Sequence, residues 1–466
     1  MIKDTGTYAD VQRMEQLSWL LFLKIIDDSE KEKELVEDKF KSPMPENLRW
    51  RNWAGDEEGL TGDKLLMFVN NNLFPTLKEL PVTQEASRAN VIREMFQDTN
   101  NLMTSGTLLR QVINKINAID FNNSKDRHVF GDIYEKILKD LQSAGNAGEF
   151  YTPRAVTRFM VEMIDPKINE KVLDPACGTG GFLTGVIEFV REKYVKTTKD
   201  REKLQNLIKG IEKKPLPHML CLTNMFLHGI EAPTQILRDN TLTRPLRDYG
   251  PKDRVDVVLT NPPFGGMEED GVVNNFPSAF RTKETADLFL LLIIHILKDE
   301  GRAAIVLPDG TLFGEGVKTR IKERLLEECN LHTVVRLPNS VFAPYTSIKT
   351  NLLFFSKGQA TKDIWFYEHR LPEGAKAYNK TKPIEIAEFD PIRKWWQKRT
   401  ESEISWKVSA ETIKKNNYNL DVKNPHVVDL DHGDPDELLA MHKNLLSELS
   451  KTRDNLKKEL MTALKR

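Results

Sequence analysis

The stretch that most constrains this chain runs from Lys171 to Gly358. Seven short apolar runs read as strands there: "KVLD", "NLIKGIE", "TQILR", "RVDVVLT", "GRAAIVLP", "LHTVVRLP" and "TNLLFFSKG". Helical patterns such as "HMLCLTNMFLHGI", "ADLFLLLIIHIL" and "VKTRIKERLLEEC" alternate with them. Strands alternating with helices predict an α/β fold, a doubly wound and mostly parallel sheet. Such sheets bind ligands at the carboxyl ends of their strands. The unusual residues of this chain fall at those ends. The first strand runs into "DPACGTGGF", the second ends in Glu212, the third in Asp239-Asn240 and the fourth in "NPPF".

What flanks the sheet differs in pattern. Residues 8–40 and 64–143 carry helical periodicity and no strand-like run, with Met14, Leu17 and Leu21 marking one face of the first helix. An all-α domain is expected over 1–143. "SAGNAGEFYTPR" breaks that pattern, and Thr152 before Pro153 reads as the N-cap of a helix "PRAVTRFMVEMI". A catalytic domain over 144–430 and a terminal helix over 431–466 complete the expected organisation. Residues 362–430, with Trp395, Trp396 and Trp406, give no clear shape. In the tail, Leu445, Leu449, Thr452, Leu456, Leu460 and Ala463 recur at helical spacing after an Asp-Pro opening. That helix could fold back on the body or pair with another subunit's helices.

Composition narrows the class. Lys+Arg number 68 and Asp+Glu 69 in 466 residues, which argues against a large polyanion-binding surface on the chain alone. The three cysteines, Cys177, Cys221 and Cys329, give neither a disulfide framework nor a zinc spacing, so no metal is expected and a reducing cytoplasm fits. The opening "MIKDTGTYADVQRMEQ" has no signal-peptide core. The apolar segments Leu17–Ile26 and Leu288–Leu297 are too short to cross a bilayer.

Each strand end has a chemical reading and a plain one. In "DPACGTGGF", Gly178, Thr179, Gly180 and Gly181 let a backbone approach a ligand, or simply make a tight turn. The fingerprint is not G-x-G-x-x-G, and the distance from Gly178 to Glu212 exceeds the roughly 20 residues of a nicotinamide site. Asp174 before the glycines resembles the S-adenosylmethionine-dependent methyltransferases instead, whose ligand carries a sulfonium and an ammonium group that a carboxylate suits. Glu212 can accept two hydrogen bonds from a ribose diol, or be a surface acid of "GIEKK". Asp239 and Asn240 can meet an adenine edge, or form a turn. Cys177 reads as a small buried hydrophobe, not a nucleophile.

"NPPF", Asn261 to Phe264, matches the signature of amino-methyltransferases. An exocyclic amine is a poor nucleophile because its lone pair is delocalised into the ring. The Asn261 amide oxygen and the Pro262 carbonyl can each accept one amino hydrogen. The nitrogen then pyramidalises, and its lone pair can point at the donor methyl. Pro262 and Pro263 stiffen the turn, so preorganisation carries the chemistry and no tuned general base is needed. Phe264 can stack on a base that has left its duplex, or pack in a core.

The order "GEFYTPR", "DPACGTGGF", Glu212, "NPPF" resembles the adenine-specific DNA methyltransferases, and among them the modification (M) subunit of type I restriction–modification systems. "QLSWLLFLKIIDD" and the terminal helix are similar to that family as well. The resemblance implies a Rossmann-like methyltransferase sheet and S-adenosyl-L-methionine as cofactor. It places cofactor contacts on Glu149, Phe150, Tyr151, Thr152, Pro153 and Arg154, on Thr179, Gly180 and Gly181, and on Glu212. It places the catalytic loop on Asn261, Pro262, Pro263 and Phe264. It further implies double-stranded DNA with a flipped adenine, a specificity (S) subunit, a second copy of the chain in an M2S1 complex, and a restriction (R) subunit. No segment of about 150 residues is left over to read DNA sequence, which fits a borrowed reader. The rival readings are a glutamine or rRNA guanine amino-methyltransferase, and a catalytically silent scaffold.

Overall fold

The computed structural model describes residues 1–7, 9–81, 88–123, 130, 131, 133, 134, 136, 138, 152–343, 345–379, 381–426 and 435–463. The chain forms two units, Met1–Val422 and Lys423–Arg466.

The first unit opens with α1 (Asp10–Val36), followed among others by α2 (Arg88–Gln97) and α3 (Gly106–Asn117). The sequence predicted one apolar face on α1, but the helix is enclosed on all sides from Ser18 to Asp28. Its inner part touches both the helical layer and the sheet's own helices, which leaves no room for a solvated face. Phe22 meets Phe96 of α2 edge-on and also Phe226 of α6 (Pro215–Leu227), with ring centroids 6.1 and 5.4 Å away. The charges carried inward are paired. Lys24 binds Asp28, and Arg51 donates to Asp27 at 2.8 Å.

Nine strands make one sheet, in the order β3-β2-β1-β4-β5-β7-β6-β8-β9. They are β1 (Val172–Asp174), β2 (Ile208–Glu212), β3 (Ile236–Arg238), β4 (Val255–Thr260), β5 (Leu297–Pro308), β6 (Cys329–Arg336), β7 (Thr350–Lys357), β8 (Asp363–Glu368) and β9 (Ser405–Ser409). The first five pair in parallel, β7 runs antiparallel between β5 and β6, and β8 lies parallel to β6. The expected α/β doubly wound sheet is thus present, with β8 and β9 added from a region whose pattern was opaque. Trp406 of β9 stacks on Phe366 of β8 at 5.5 Å and 8°.

Successive residues of β4 from Val257 on serve opposite faces, and a register shift between Val255 and Val257 puts Val255 on the same face as Val258. Val257 and Leu259 join one buried cluster with α4 (Arg154–Ile164), α5 (Gly181–Tyr194), α6 and the N-terminal helices. Val255 and Val258 join the other, with α7 (Thr285–Ile296) and α8 (Val317–Glu328). From β1 the chain winds outward to β2 and β3, then returns to β4 on the other side. The crevice at this reversal is where a doubly wound sheet takes its ligand.

The second unit is α9 (Pro435–Ala463), opening at Pro435 as the sequence predicted. Leu445, Leu449, Leu456 and Leu460 are each more than half exposed. No helix among the described residues is long and apolar enough to cross a membrane.

Candidate active site

The carboxyl ends of β1, β2 and β4 converge on a cavity of about 250 Å³. Its walls include Asp174, Cys177, Gly178, Gly181, Glu212, Asn261, Pro263 and, from before α4, Thr152.

The glycine turn is shaped by close approach. Gly178 and Gly180 sit at φ +53° and +84°, and a Cβ on Gly180 would lie 2.8 Å from the Cys221 Sγ. The turn is tied to β2, since the Gly178 N–H donates to the Glu212 Oε2 at 2.9 Å and the Cys177 N–H to the Ile211 carbonyl at 3.0 Å. Cys177 is buried against Cys221, whose sulfur lies 3.9 Å away, and that contact together with burial pushes its thiol well above the usual range. A thiol held protonated inside a core is no nucleophile.

The two acids differ from surface carboxylates. Burial lifts Asp174 to about 7, against the pull of the Thr260 hydroxyl, which donates to it at 2.7 Å, and of the Ala176 N–H. Nearby Glu212 adds to the rise. Glu212 is itself raised, by burial, although the Lys214 and Gly178 N–H groups donate to its two oxygens. No lysine or arginine is paired with Asp174 among the described residues. Two adjacent buried carboxyls repel one another when ionised. A ligand bearing positive charge relieves that repulsion, so the two acids suit a sulfonium or an ammonium group.

Asn261 follows β4 directly. Its Nδ2 donates to the Thr152 Oγ1 at 3.0 Å, while its Oδ1 is buried without a hydrogen-bond partner among the described residues. A buried acceptor left bare costs free energy, and the usual explanation is a missing partner. Pro262 is buried and Pro263 borders the cavity. Phe264 is half-buried outside the cavity wall, edge-on to Phe342 at 5.8 Å and 82°.

Some expected residues lie elsewhere. Thr152 is not a helix cap: α4 begins at Arg154 after Pro153, and the hydroxyl faces Asn261 instead. Arg154 turns away from the cavity, its guanidinium donating to the Gly181 carbonyl at 2.6 Å and to the Thr184 hydroxyl. It borders a larger cavity of about 720 Å³ that holds neither strand-end acid, so size does not mark the site here. Thr179 and Gly180 shape the turn without lining the cavity, and the Thr179 carbonyl accepts from the Asn224 Nδ2 at 3.1 Å. Asp239 is exposed, and the Asn240 Oδ1 caps the next turn by accepting from the Leu242 N–H. The turn reading of this pair is what the side chains do. Glu149, Phe150 and Tyr151 lie outside the described residues.

Walls that the sequence did not mark come from the loop after "NPPF" and from the start of α7. Met267, Glu268 and Thr285 line the cavity, with Lys213 and Lys214. A Cβ on Gly266 would meet the Thr285 Oγ1 at 2.7 Å, and the Thr285 N–H donates to the Gly266 carbonyl at 3.1 Å. The second glycine after Phe264 was the available signal, since only a residue without Cβ lets these strands of chain touch.

The chain is similar to known proteins over nearly its whole length. The family model for N-6 DNA methylases matches residues 125–430, and the model for the HsdM N-terminal domain matches residues 3–116. The EcoEI type I restriction enzyme methylase subunit of Escherichia coli is 58% identical, over 100% of this chain and 96% of that protein. The chain belongs to the N-6 DNA methylase family, among the type I restriction enzyme methylase subunits. Another such methylase subunit, EcoKI of Escherichia coli K12, is 29% identical over 85% of this chain and 75% of that one. The solved modification subunit of a type I restriction enzyme from Vibrio vulnificus YJ016 superposes with a TM-score of 0.83 at 46% identity, covering 93% of this chain and 96% of that one. A chain from a solved type I restriction–modification assembly gives 0.84 at 38% identity, covering 99% and 96%. This chain is therefore an adenine-type DNA methyltransferase subunit built on a Rossmann-like sheet, with a helical N-terminal region.

Proposed function

We propose that this subunit transfers a methyl group from S-adenosyl-L-methionine to the exocyclic amine of adenine in double-stranded DNA, and that the strand-end cavity is where it does so. The observation that carries the reading is the bare Asn261 Oδ1, buried in the same cavity as the glycine turn and the two acids. The cofactor, when bound, supplies a methyl on a cationic sulfur.

The chain's own residues account for the rest. Asp174 and Glu212 hold positive charge and a ribose diol, and the Gly178–Gly181 turn admits the ligand to the sheet edge. The Asn261 Oδ1 and the Pro262 carbonyl accept the two amino hydrogens, which leaves the nitrogen lone pair free to attack. Once the methyl is on, the nitrogen carries a positive charge and its extra proton leaves to solvent, so no tuned base is needed. Phe264, carried by the same stiff turn, offers a ring to an extruded base.

The division into a helical domain (1–143), a catalytic domain (144–430) and a contact helix (431–466) completes the proposal. The exposed leucines of α9 suit a helix that pairs with a specificity subunit. Two copies with one such subunit, joined by a restriction subunit, would mark both strands of a target in the cytoplasm and spare host DNA.

The test is methyl transfer from labelled cofactor by the full chain with its specificity partner. Label entering unmethylated duplex DNA as N6-methyladenine is the expected result. Label entering release-factor glutamine or rRNA guanine, and none entering DNA, would overturn it.

A further inference from the structure

The Asn261 amide can point two ways. With Oδ1 toward the amine it accepts a hydrogen. Turned by half a circle it presents Nδ2, a donor facing a donor, and the amine is repelled. Stiff prolines on the following residues fix the backbone but not this side-chain torsion, which is broad for an amide. Something else must choose the sense.

The Thr152 hydroxyl is the group in position. It reaches Asn261 across 109 residues of sequence, accepts from Nδ2 at 3.0 Å, and leaves Oδ1 bare. Both residues wall the same cavity. A hydroxyl can also donate, so it selects the productive sense only while its own proton points away from Asn261. Thr152 is half-buried at the edge of the cavity, so water there can take that proton. We propose that Thr152 is a positioning residue for the catalytic amide, holding Asn261 with its oxygen toward the substrate. This rests on the catalytic reading of Asn261. It also explains why the threonine does not cap α4, since its hydroxyl is committed elsewhere.

The test uses the full chain with its specificity partner and compares Thr152→Val, Thr152→Ser and Asn261→Ala by single-turnover methyl transfer and by cofactor titration. Valine keeps the shape and removes the hydroxyl; serine restores it. Thr152→Val is expected to slow transfer by roughly 10–100-fold, as misorientation in a preorganised site does. Cofactor affinity is expected to move by less than about threefold, too little to reflect a lost charge-assisted contact. Thr152→Ser is expected to recover most of the rate. If Thr152→Val weakens cofactor binding in proportion and leaves the saturated rate intact, the residue is a ligand contact and the positioning role is overturned. A slow valine variant that serine does not rescue overturns it as well. If Asn261→Ala itself transfers methyl normally, the catalytic reading fails first.

Discussion

Asp174 is fully enclosed, and burial outweighs the two hydrogen bonds that favour its charge, so the carboxyl titrates at about 7. The ordinary value is 3.8. The folded chain therefore holds a proton that the unfolded chain has already released. Stability from this group is present below the ordinary value and is lost as pH rises through about 7. A cationic ligand reverses the preference, since it binds best to the ionised acid. Cofactor affinity is expected to rise between about pH 6 and 8, with proton release on binding, and Asp174→Asn should flatten the profile. Calorimetry in buffers of differing ionisation enthalpy measures both effects. A second residue-scale expectation concerns Gly180. Its φ of +84° and the 2.8 Å approach of Cys221 leave no space for a methyl group. Gly180→Ala should cost roughly 1–3 kcal/mol in urea denaturation and distort the turn that admits the cofactor.

Among the elements, the parallel core was legible because buried strands are continuous apolar runs, and each stops where a polar motif begins. β1, β2 and β4 end at Asp174, Glu212 and Thr260, next to the residues that the chemistry selected. β8 and β9 were not legible. Their residues "DIWFYE" and "SWKVS" are mixed in polarity because they close the edge of the sheet, where one face is covered by aromatic contacts from Trp395. Asp239-Asn240 shows another ambiguity: a turn-forming pair after a strand and a ligand contact leave the same trace in sequence, and here the Asn240 Oδ1 accepts from the Leu242 N–H. Thr152 shows a third, because local capping chemistry lost to a partner more than a hundred residues away. The edge itself can be tested. Trp406 is buried and its Nε1 has no hydrogen-bond partner among the described residues. Trp406→Ala should cost about 3–5 kcal/mol by loss of packing. Trp406→Phe should cost much less, since it discards an unsatisfied donor.

At the scale of the whole molecule, the two units differ in what they carry. Met1–Val422 contains the sheet, both buried clusters and the cavity, whereas Lys423–Arg466 carries the exposed leucines of α9. Truncation after Val422 should leave melting temperature and cofactor affinity near those of the full chain while abolishing co-purification with the specificity subunit. The charges nearly balance, 68 against 69, so the steep salt dependence of DNA binding should belong to the complex and be weak for the chain alone. Fluorescence anisotropy over a salt series separates the two.

Under the proposed function, the carboxamide oxygen at the end of β4 accepts a hydrogen bond from the adenine amine. That contact is tested most directly by single-turnover transfer of a labelled methyl group to target DNA, comparing Asn261→Ala with the unaltered subunit in the same complex at saturating cofactor. A rate reduced by roughly a hundredfold to a thousandfold, with cofactor affinity preserved, is the expected result. A rate within a few-fold of the unaltered subunit would contradict it.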